Sequence, residues 1–337
     1  MNRFIRKLAG VLAAAGVYLM TAGANESLSA RLVEKPWEER MKNVMLSEQM
    51  STQKAAAAPV MLHALSAPPP QEQTLPPAQE PGPSTVVETT IEGGMRIKNE
   101  TGYWVDAAEI LSDGPGLTLP ADEPQILIIH THASEAYAQS GADRYSPSDS
   151  GRTEDTQFNV VRIGDELTEI LTEAGLNVVH DRGIYDYPSY TGSYMRTEAA
   201  IRQYLESCPG IRVVLDIHRD ALGSGDVVYK TMAEEEGSVA SQIMLLVGTD
   251  ESGLEHPYWR GNLAFAMYLQ NAANSAFPTL MRPVMLVPQR YNQQLTPGSL
   301  IVEVGSSGNT LRVALAAIRL FGRAIAPALA ELIVYSE

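Results

Sequence analysis

Cysteine is almost absent from this chain: its 337 residues contain one, Cys208. An intramolecular disulfide is thereby excluded, so the fold must be held by an apolar core or by a metal. The lone thiol reads as a small buried side chain. Basic residues are also scarce, 25 against 40 acidic ones, for a formal net charge of −15. With no basic stripe to neutralise phosphates, the composition argues against a nucleic-acid partner. No internal repeat is visible. An uncharged apolar run does occur at the start, Leu8–Ala24, preceded by Arg3, Arg6 and Lys7. A basic flank before such a run marks an export signal or an anchor. Its length lies at the lower edge of what spans a bilayer, and Ala22-Gly-Ala24 also offers a small-x-small cleavage site. The expectation is a single-pass N-terminal anchor in the cell membrane (residues 1–24) with the remainder extracytoplasmic. Secretion after cleavage near Ala24 is the alternative.

From Asn25 to about residue 93 the chain is rich in Ala, Pro, Gln, Glu and Ser, including Pro68-Pro-Pro70 and the segment Pro76 to Pro83. Such a segment buries too little apolar surface to offset its conformational entropy, which predicts a disordered, semi-extended linker over 25–93. Within it only Leu32–Gln49, with Trp37, Met41, Val44 and Met45, has the spacing of a short amphipathic helix. The folded domain is expected over 94–337. There, strand-like and helix-like patterns alternate, which predicts a three-layer α/β/α domain with a mainly parallel sheet. Strands are expected at 126–129, 176–179, 211–217, 243–247 and 299–304. Helices are expected at 159–173, 195–205, 262–276 and 311–332.

The chemistry-bearing residues sit at the ends of the predicted strands. The apolar run Ile126–Ile129 ends in His130-Thr-His132-Ala-Ser-Glu135, and His132-x-x-Glu135 has the spacing that lets an imidazole and a carboxylate share one ion, as in carboxypeptidase-like zinc sites. A second apolar strand delivers His218 to its carboxyl end, where ligands of open α/β sheets gather. Two histidines, a carboxylate and an open position are what a catalytic zinc requires. The third strand carries Glu303 inside an apolar run, where an unpaired charge is costly. Beside a cation it has a use as general base, while a salt bridge to Arg219 or Arg290 is the structural alternative. Gly305 and Gly308 would let backbone pass close to substrate, and Asn309 or Thr310 can cap the following helix. Arg219 could stabilise an oxyanion or hold a peptide carboxylate bidentately; pairing with Asp220 or Glu303 is its structural alternative.

Taken together, His130-Thr-His132-x-x-Glu135, Asn159-Val-Val-x-x-Gly164, Asp216-Ile-His218-Arg219-Asp220, Tyr291-Asn292-Gln293 and Glu303-Val-Gly305-x-x-x-Asn309-Thr310 resemble the stage II sporulation protein P family. The resemblance runs from about Asn99 to the C-terminus, in order and spacing. It implies a zinc-amidase-like fold and a one-zinc peptidoglycan hydrolase that cuts between N-acetylmuramic acid and L-alanine during engulfment. Cleavage of peptide cross-links is a second activity it implies, and stage II sporulation proteins M and D are the partners. Carried over by residue, His132, Glu135 and His218 are ligands, Glu303 is the catalytic glutamate, and His130 matches with its role left open. The wider zinc amidases take their carboxylate ligand from the start of the first helix, which nominates Glu154 or Asp155 instead. Arg282, Tyr291, Asn292 and Asn309 are expected to touch substrate. The segment Pro278-Thr-Leu-Met-Arg282 departs from the family's usual Pro-Gly-Leu-Ser-Arg-like form, and the loop Ala138–Asp155 is a candidate rim over the cleft. A zinc carboxypeptidase or another peptidase of related fold, and a wall-binding module with a silent site, are the rival readings.

Overall fold

In a computed structural model of the chain, residues 85–224 and 226–335 are described. The hydrophobic helix expected over 1–24 lies outside them, as does the expected linker up to residue 84. The linker's last part forms a strand, β1 (Thr85–Thr89), because Thr-Val-Val-Glu-Thr is rich in β-branched residues whatever precedes it. There follow β2 (Ile97–Asn99), α1 (Ala107–Asp113), β3 (Leu119–Pro120), β4 (Ile126–Ile129), α2 (Val160–Glu173) and β5 (Val178–His180). Next come α3 (Ser193–Ser207), β6 (Val213–Asp220), β7 (Gly223–Ser224), β8 (Val227–Thr231), β9 (Ala233–Glu235) and β10 (Ser238–Ala240). The remaining elements are β11 (Ile243–Gly248), α4 (Trp259–Ala276), β12 (Val284–Val287), β13 (Gly298–Ser306), α5 (Leu311–Ala330) and β14 (Ile333–Val334). Bracketed by Pro283 and Pro288, β12 is a strand that the sequence pattern does not single out.

The central sheet has seven strands in the order β2-β12-β11-β13-β6-β4-β5. Neighbours are parallel except β11 and β13. The sheet is therefore mainly parallel, built from two parallel blocks that run in opposite directions. Side chains alternate between its faces. Ile126 and Ile128 of β4, Val213, Leu215 and Ile217 of β6, and Leu300, Val302 and Val304 of β13 join one core cluster with residues of α2, α4 and α5. The intervening positions, Asp216, His218, Ile301 and Glu303, fall on the opposite face.

Local chemistry sets the helix ends. Asn159 caps α2 by accepting a hydrogen bond from the Val161 N–H, and Gly175, with φ 88°, ends it in the left-handed region. Among the described residues α5 is long and apolar enough to cross a membrane. It packs instead against α2, α4 and the sheet, with Phe321 and Ile325 fully buried. Arg319 of α5 also grips Glu166 of α2 through Nε–Oε1 (2.6 Å) and Nη2–Oε2 (3.0 Å).

Two predictions follow from this core. Truncating fully buried Leu167 to alanine should lower the unfolding free energy by about 2–5 kcal/mol. The same truncation at exposed Met195 should change it by no more than about 0.5 kcal/mol, both by denaturant titration. Burial also pulls His180 and His256 down to about 4. The unfolded chain binds these protons below about 6.5, whereas the folded chain does so only near pH 4. Their stabilisation, present above about pH 6.5, is therefore lost as pH falls toward 4, and a His256→Leu chain should lose less of its guanidinium midpoint than the parent between about pH 7.5 and about pH 5.

Candidate active site

Beyond the end of β4, Thr131 donates both its N–H (2.7 Å) and its Oγ–H (2.6 Å) to the carboxylate of Asp216 on β6. The chain turns there, and His132 and Glu135 come to lie beside His218. One ligand atom from each of these three buried residues lies within 4.8 Å of the others. His132 Nδ1 is 3.6 Å from Glu135 Oε1, and His218 Nδ1 is 3.4 Å from Glu135 Oε2. Tetrahedral ligands held about 2.0–2.2 Å from zinc stand about 3.3–3.6 Å apart, so this donor set fits one ion with a fourth position left over. The second imidazole nitrogen of His132 is buried without a hydrogen-bond partner. Behind His218, Asp216 Oδ1 sits 3.0 Å from Nε2, close enough for an ion pair though not aligned as a hydrogen bond; this is the position from which an outer carboxylate orients a ligating imidazole.

The electrostatics match. Burial alone would raise Glu135, but the adjoining imidazoles of His132 and His218 and the Arg219 charge hold it well below the usual carboxylate range. Burial would lower His218, yet Asp216 and Glu135 drive it well above the imidazole range. A proton held there by two carboxylates is one that a metal cation would replace.

Glu303 pairs in register with His218 across the parallel β13/β6 ladder. Its Oε2 is buried and has no hydrogen-bond partner, and among the described residues it forms no ion pair, so the alternative of a salt bridge to Arg219 or Arg290 is not realised. Burial, reinforced by Asp220 and Glu135 and opposed by His218, lifts its carboxyl to about 8. Such a group can take up and release a proton near neutrality.

A cavity of about 260 Å³ joins these groups, lined by His132, Glu135, His218, Arg219, Tyr291 and Glu303 together with Tyr190 and Tyr194. Several sequence-nominated residues stand elsewhere. His130 keeps the parity of Ile126 and Ile128 and so points to the helix face: its Nε2 lies 2.8 Å from His180 Nε2, its Nδ1 3.2 Å from the Ile217 carbonyl. The structure does not bring it to the His132–Glu135–His218 group. Glu154 and Asp155 are exposed and are not part of that group either. Arg219 lines the cavity, but its guanidinium donates to the backbone carbonyls of Ala136 (3.0 Å), Gly151 (3.1 Å) and Asp220 (3.4 Å). It clamps the loop, pairing with neither the Asp220 nor the Glu303 side chain.

Arg282 is buried and held by Asp220 Oδ2 at 2.8 Å. Asn309 is fully buried. Its Oδ1 accepts from the Thr231 and Ser306 N–H groups and its Nδ2 donates to the Thr231 carbonyl, leaving nothing for a substrate. Asn292 Nδ2 donates to the Tyr194 carbonyl (2.7 Å), so of the four nominated substrate contacts only Tyr291 opens onto the cavity.

The sequence pattern also passes over residues that matter here. Tyr190 stacks on His132 with ring centroids 4.5 Å apart, and Tyr194 meets the same imidazole edge-on at 5.4 Å. Arg152 Nη1 bonds the buried Asp186 at 2.6 Å, its guanidinium lies over Tyr190, and its Nη2 is 3.5 Å from Glu135 Oε1. Asp186 also accepts from the Ser134 N–H (3.1 Å) and Oγ–H (2.5 Å). The Tyr190 and Tyr194 cluster preceding and opening α3 is a signal in the sequence; the Arg152–Asp186 pairing has none.

A mixed α/β domain whose mainly parallel sheet presents a His-Glu-His group beside a poised carboxylate is, as a class, a candidate metallohydrolase. The family model described as Stage II sporulation protein P (SpoIIP) matches residues 20–326, and the chain belongs to that family. A relative named Stage II sporulation protein P, from Bacillus subtilis (strain 168), is 25% identical over 250 residues, covering 70% of this chain. The alignment spans 58% of that relative's length. Among solved structures, the amidase AmiC2 of Nostoc punctiforme is similar at 16% identity and TM-score 0.36, covering 61% of this chain and 96% of its own. The CwlD amidase of Clostridioides difficile, solved with the GerS lipoprotein, shows 13% identity and TM-score 0.36, covering 62% and 98%.

Removing Asp186 tests the loop that carries Glu135. With the Asp186 side chain at 0% exposure, Asp186→Ala removes the carboxylate shared by Arg152 Nη1 and by the N–H and Oγ–H of Ser134 and should cost about 3 kcal/mol in stability. Faster amide exchange across residues 133–153 would accompany it; unchanged exchange would show that the loop is held by other contacts.

Proposed function

We propose that this chain is a zinc-dependent peptidoglycan hydrolase, an N-acetylmuramoyl-L-alanine amidase with cross-link endopeptidase activity, that acts in engulfment during endospore formation. Family membership supports the setting. The observation that carries the chemistry is Glu303, unpaired and shielded, in register with His218 beside the His132–Glu135–His218 donor set. On this reading 1–24 is a membrane anchor, 25–84 a tether, and the three-layer α/β/α catalytic domain begins with β1, which pairs with β8, and runs from 85 to 337. Proteins M and D of the same sporulation stage are the proposed partners.

His132, Glu135 and His218 would hold zinc, with Asp216 orienting His218. Bound there, zinc supplies Lewis acidity that polarises the scissile carbonyl and acidifies water. Glu303 accepts a proton at its carboxylate from the attacking water and returns it to the departing amide nitrogen, for which a carboxyl poised near neutrality is suited. Arg219, committed to three carbonyls, keeps the Ala136–Gly151 loop over the site. Hydrogen-bond donation to the substrate falls to the tyrosines, Tyr194 and Tyr291, whose hydroxyls burial keeps protonated.

Digestion of purified sacculi tests the reaction: peptides beginning with L-alanine and glycan bearing free lactyl groups are expected, whereas release of single C-terminal residues would indicate a carboxypeptidase. Glu303→Gln should lower the rate by about a hundredfold or more with metal content unchanged. If that variant digests wall like the parent, Glu303 is not the proton carrier. Asp216→Asn should weaken zinc binding by about 10–100-fold, read by competition with a chromophoric chelator.

A further inference from the structure

The hydrolytic cavity continues past Tyr194 and Tyr291 into a second one of about 300 Å³. Its walls include exposed Met195 and Leu254 together with Arg290. Guanidinium groups elsewhere around the site are committed: Arg219 to carbonyls, Arg152 to Asp186, and Arg282 to Asp220. Among the described residues Arg290 donates only through Nη1, to the Glu255 carbonyl at 3.1 Å, and makes no hydrogen bond through Nε or Nη2. The carboxylate that shares this cavity, Glu198, is taken by Arg202 at 2.7 Å. An unneutralised cation thus faces a cavity in a protein of net charge −15.

The turn that presents Arg290 is strongly determined. Tyr291 and Asn292, neither of them glycine, both hold left-handed backbone with φ 49° and 60°, a strain that persists only where surroundings enforce it. Three contacts enforce it. Asn292 bonds the Tyr194 carbonyl, Gln293 Oε1 accepts from the Gly248 N–H at 2.7 Å, and Gln293 Nε2 donates to the Leu246 carbonyl at 2.9 Å. The backbone of Gln289 and Arg290 passes so close to Gly248 that a Cβ there would lie 2.1 Å from the Gln289 oxygen and 2.8 Å from Arg290 Cα. On the other flank, a cavity of about 450 Å³ is lined by His132 and residues Tyr190 to Met195, with hydroxyls and aromatic rings but no carboxylate or guanidinium.

We propose that the Arg290 cavity is the subsite for the peptide side of the substrate, with Arg290 binding a stem-peptide carboxylate, and that the uncharged Tyr190 flank receives the sugar. The assignment rests on the amidase reading. A stem residue advances up to about 3.6 Å, so the carboxylates of the second and third residues fall within reach of a long side chain anchored next to Tyr291. A guanidinium fork binds such groups bidentately.

The test uses the whole 337-residue chain and three synthetic muramoyl tripeptides: one with free carboxylates, one amidated at the second residue, one at the C-terminus. Wild type should prefer the free acid over at least one amide by about tenfold or more in kcat/KM, the worth of a hydrogen bond to a charged group. Arg290→Gln should bring that ratio to about one. Gly248→Ala, which displaces the Arg290 backbone, should lower it, while Arg260→Ala, remote from this cavity, should leave it at the wild-type value. A wild-type ratio near one, or a ratio that survives in Arg290→Gln, overturns the subsite. The same peptides are titrated calorimetrically into the Glu303→Gln chain. Arg290-dependent discrimination in binding without hydrolysis by wild type would support the subsite and sink the amidase reading. Hydrolysis without discrimination would do the reverse.

Discussion

The carboxylate of Asp216 is the contact on which the site is built. Buried on β6, it accepts two hydrogen bonds from Thr131 and faces Nε2 of His218. One side chain thereby fixes the turn that brings His132 and Glu135 into place and the orientation of the histidine they meet. An unpaired buried carboxylate is costly, so Asp216 has a strong reason to keep all three neighbours. The parallel ladders do the rest, pairing Ile129 with Asp216 and His218 with Glu303. Main-chain hydrogen bonds of the β13/β6 ladder therefore set Glu303 next to His218.

Much of this is legible in the sequence, because apolar strands that end in histidine or carry a lone glutamate advertise the edge of a sheet. The alternation that marks the strands also settles His130, which follows Ile126 and Ile128 to the helix face. A pattern of residues cannot disclose which polar side chains are consumed by backbone. Arg219 and Asn309 look free in sequence, yet their partners at Ala136, Gly151 and Thr231 lie 68 to 83 residues away for the first and 78 for the second. The strand β1 escapes notice since prolines dominate its surroundings, and β12 since prolines flank it.

Family membership and residue chemistry carry different loads. The family match extends over residues 20–326, and at 25% identity the B. subtilis relative sets a context more than a residue map. Geometry brings His132, Glu135 and His218 together and leaves His130, Glu154 and Asp155 outside that group.

The helix α5 has a bearing on how the domain comes to exist. Among the described residues it is the last helix, and its partner in the Arg319–Glu166 clamp lies 153 residues upstream. Until α5 is synthesised, the apolar face of β13 and the stripe of α2 that includes Leu167 lack their cover, so the core cannot close early. Non-local closure of this kind slows folding. A nascent domain that stays open until that helix is available leaves the apolar stripe of α2 uncovered, and within reach of a chaperone, for as long as the intervening segment takes to be synthesised.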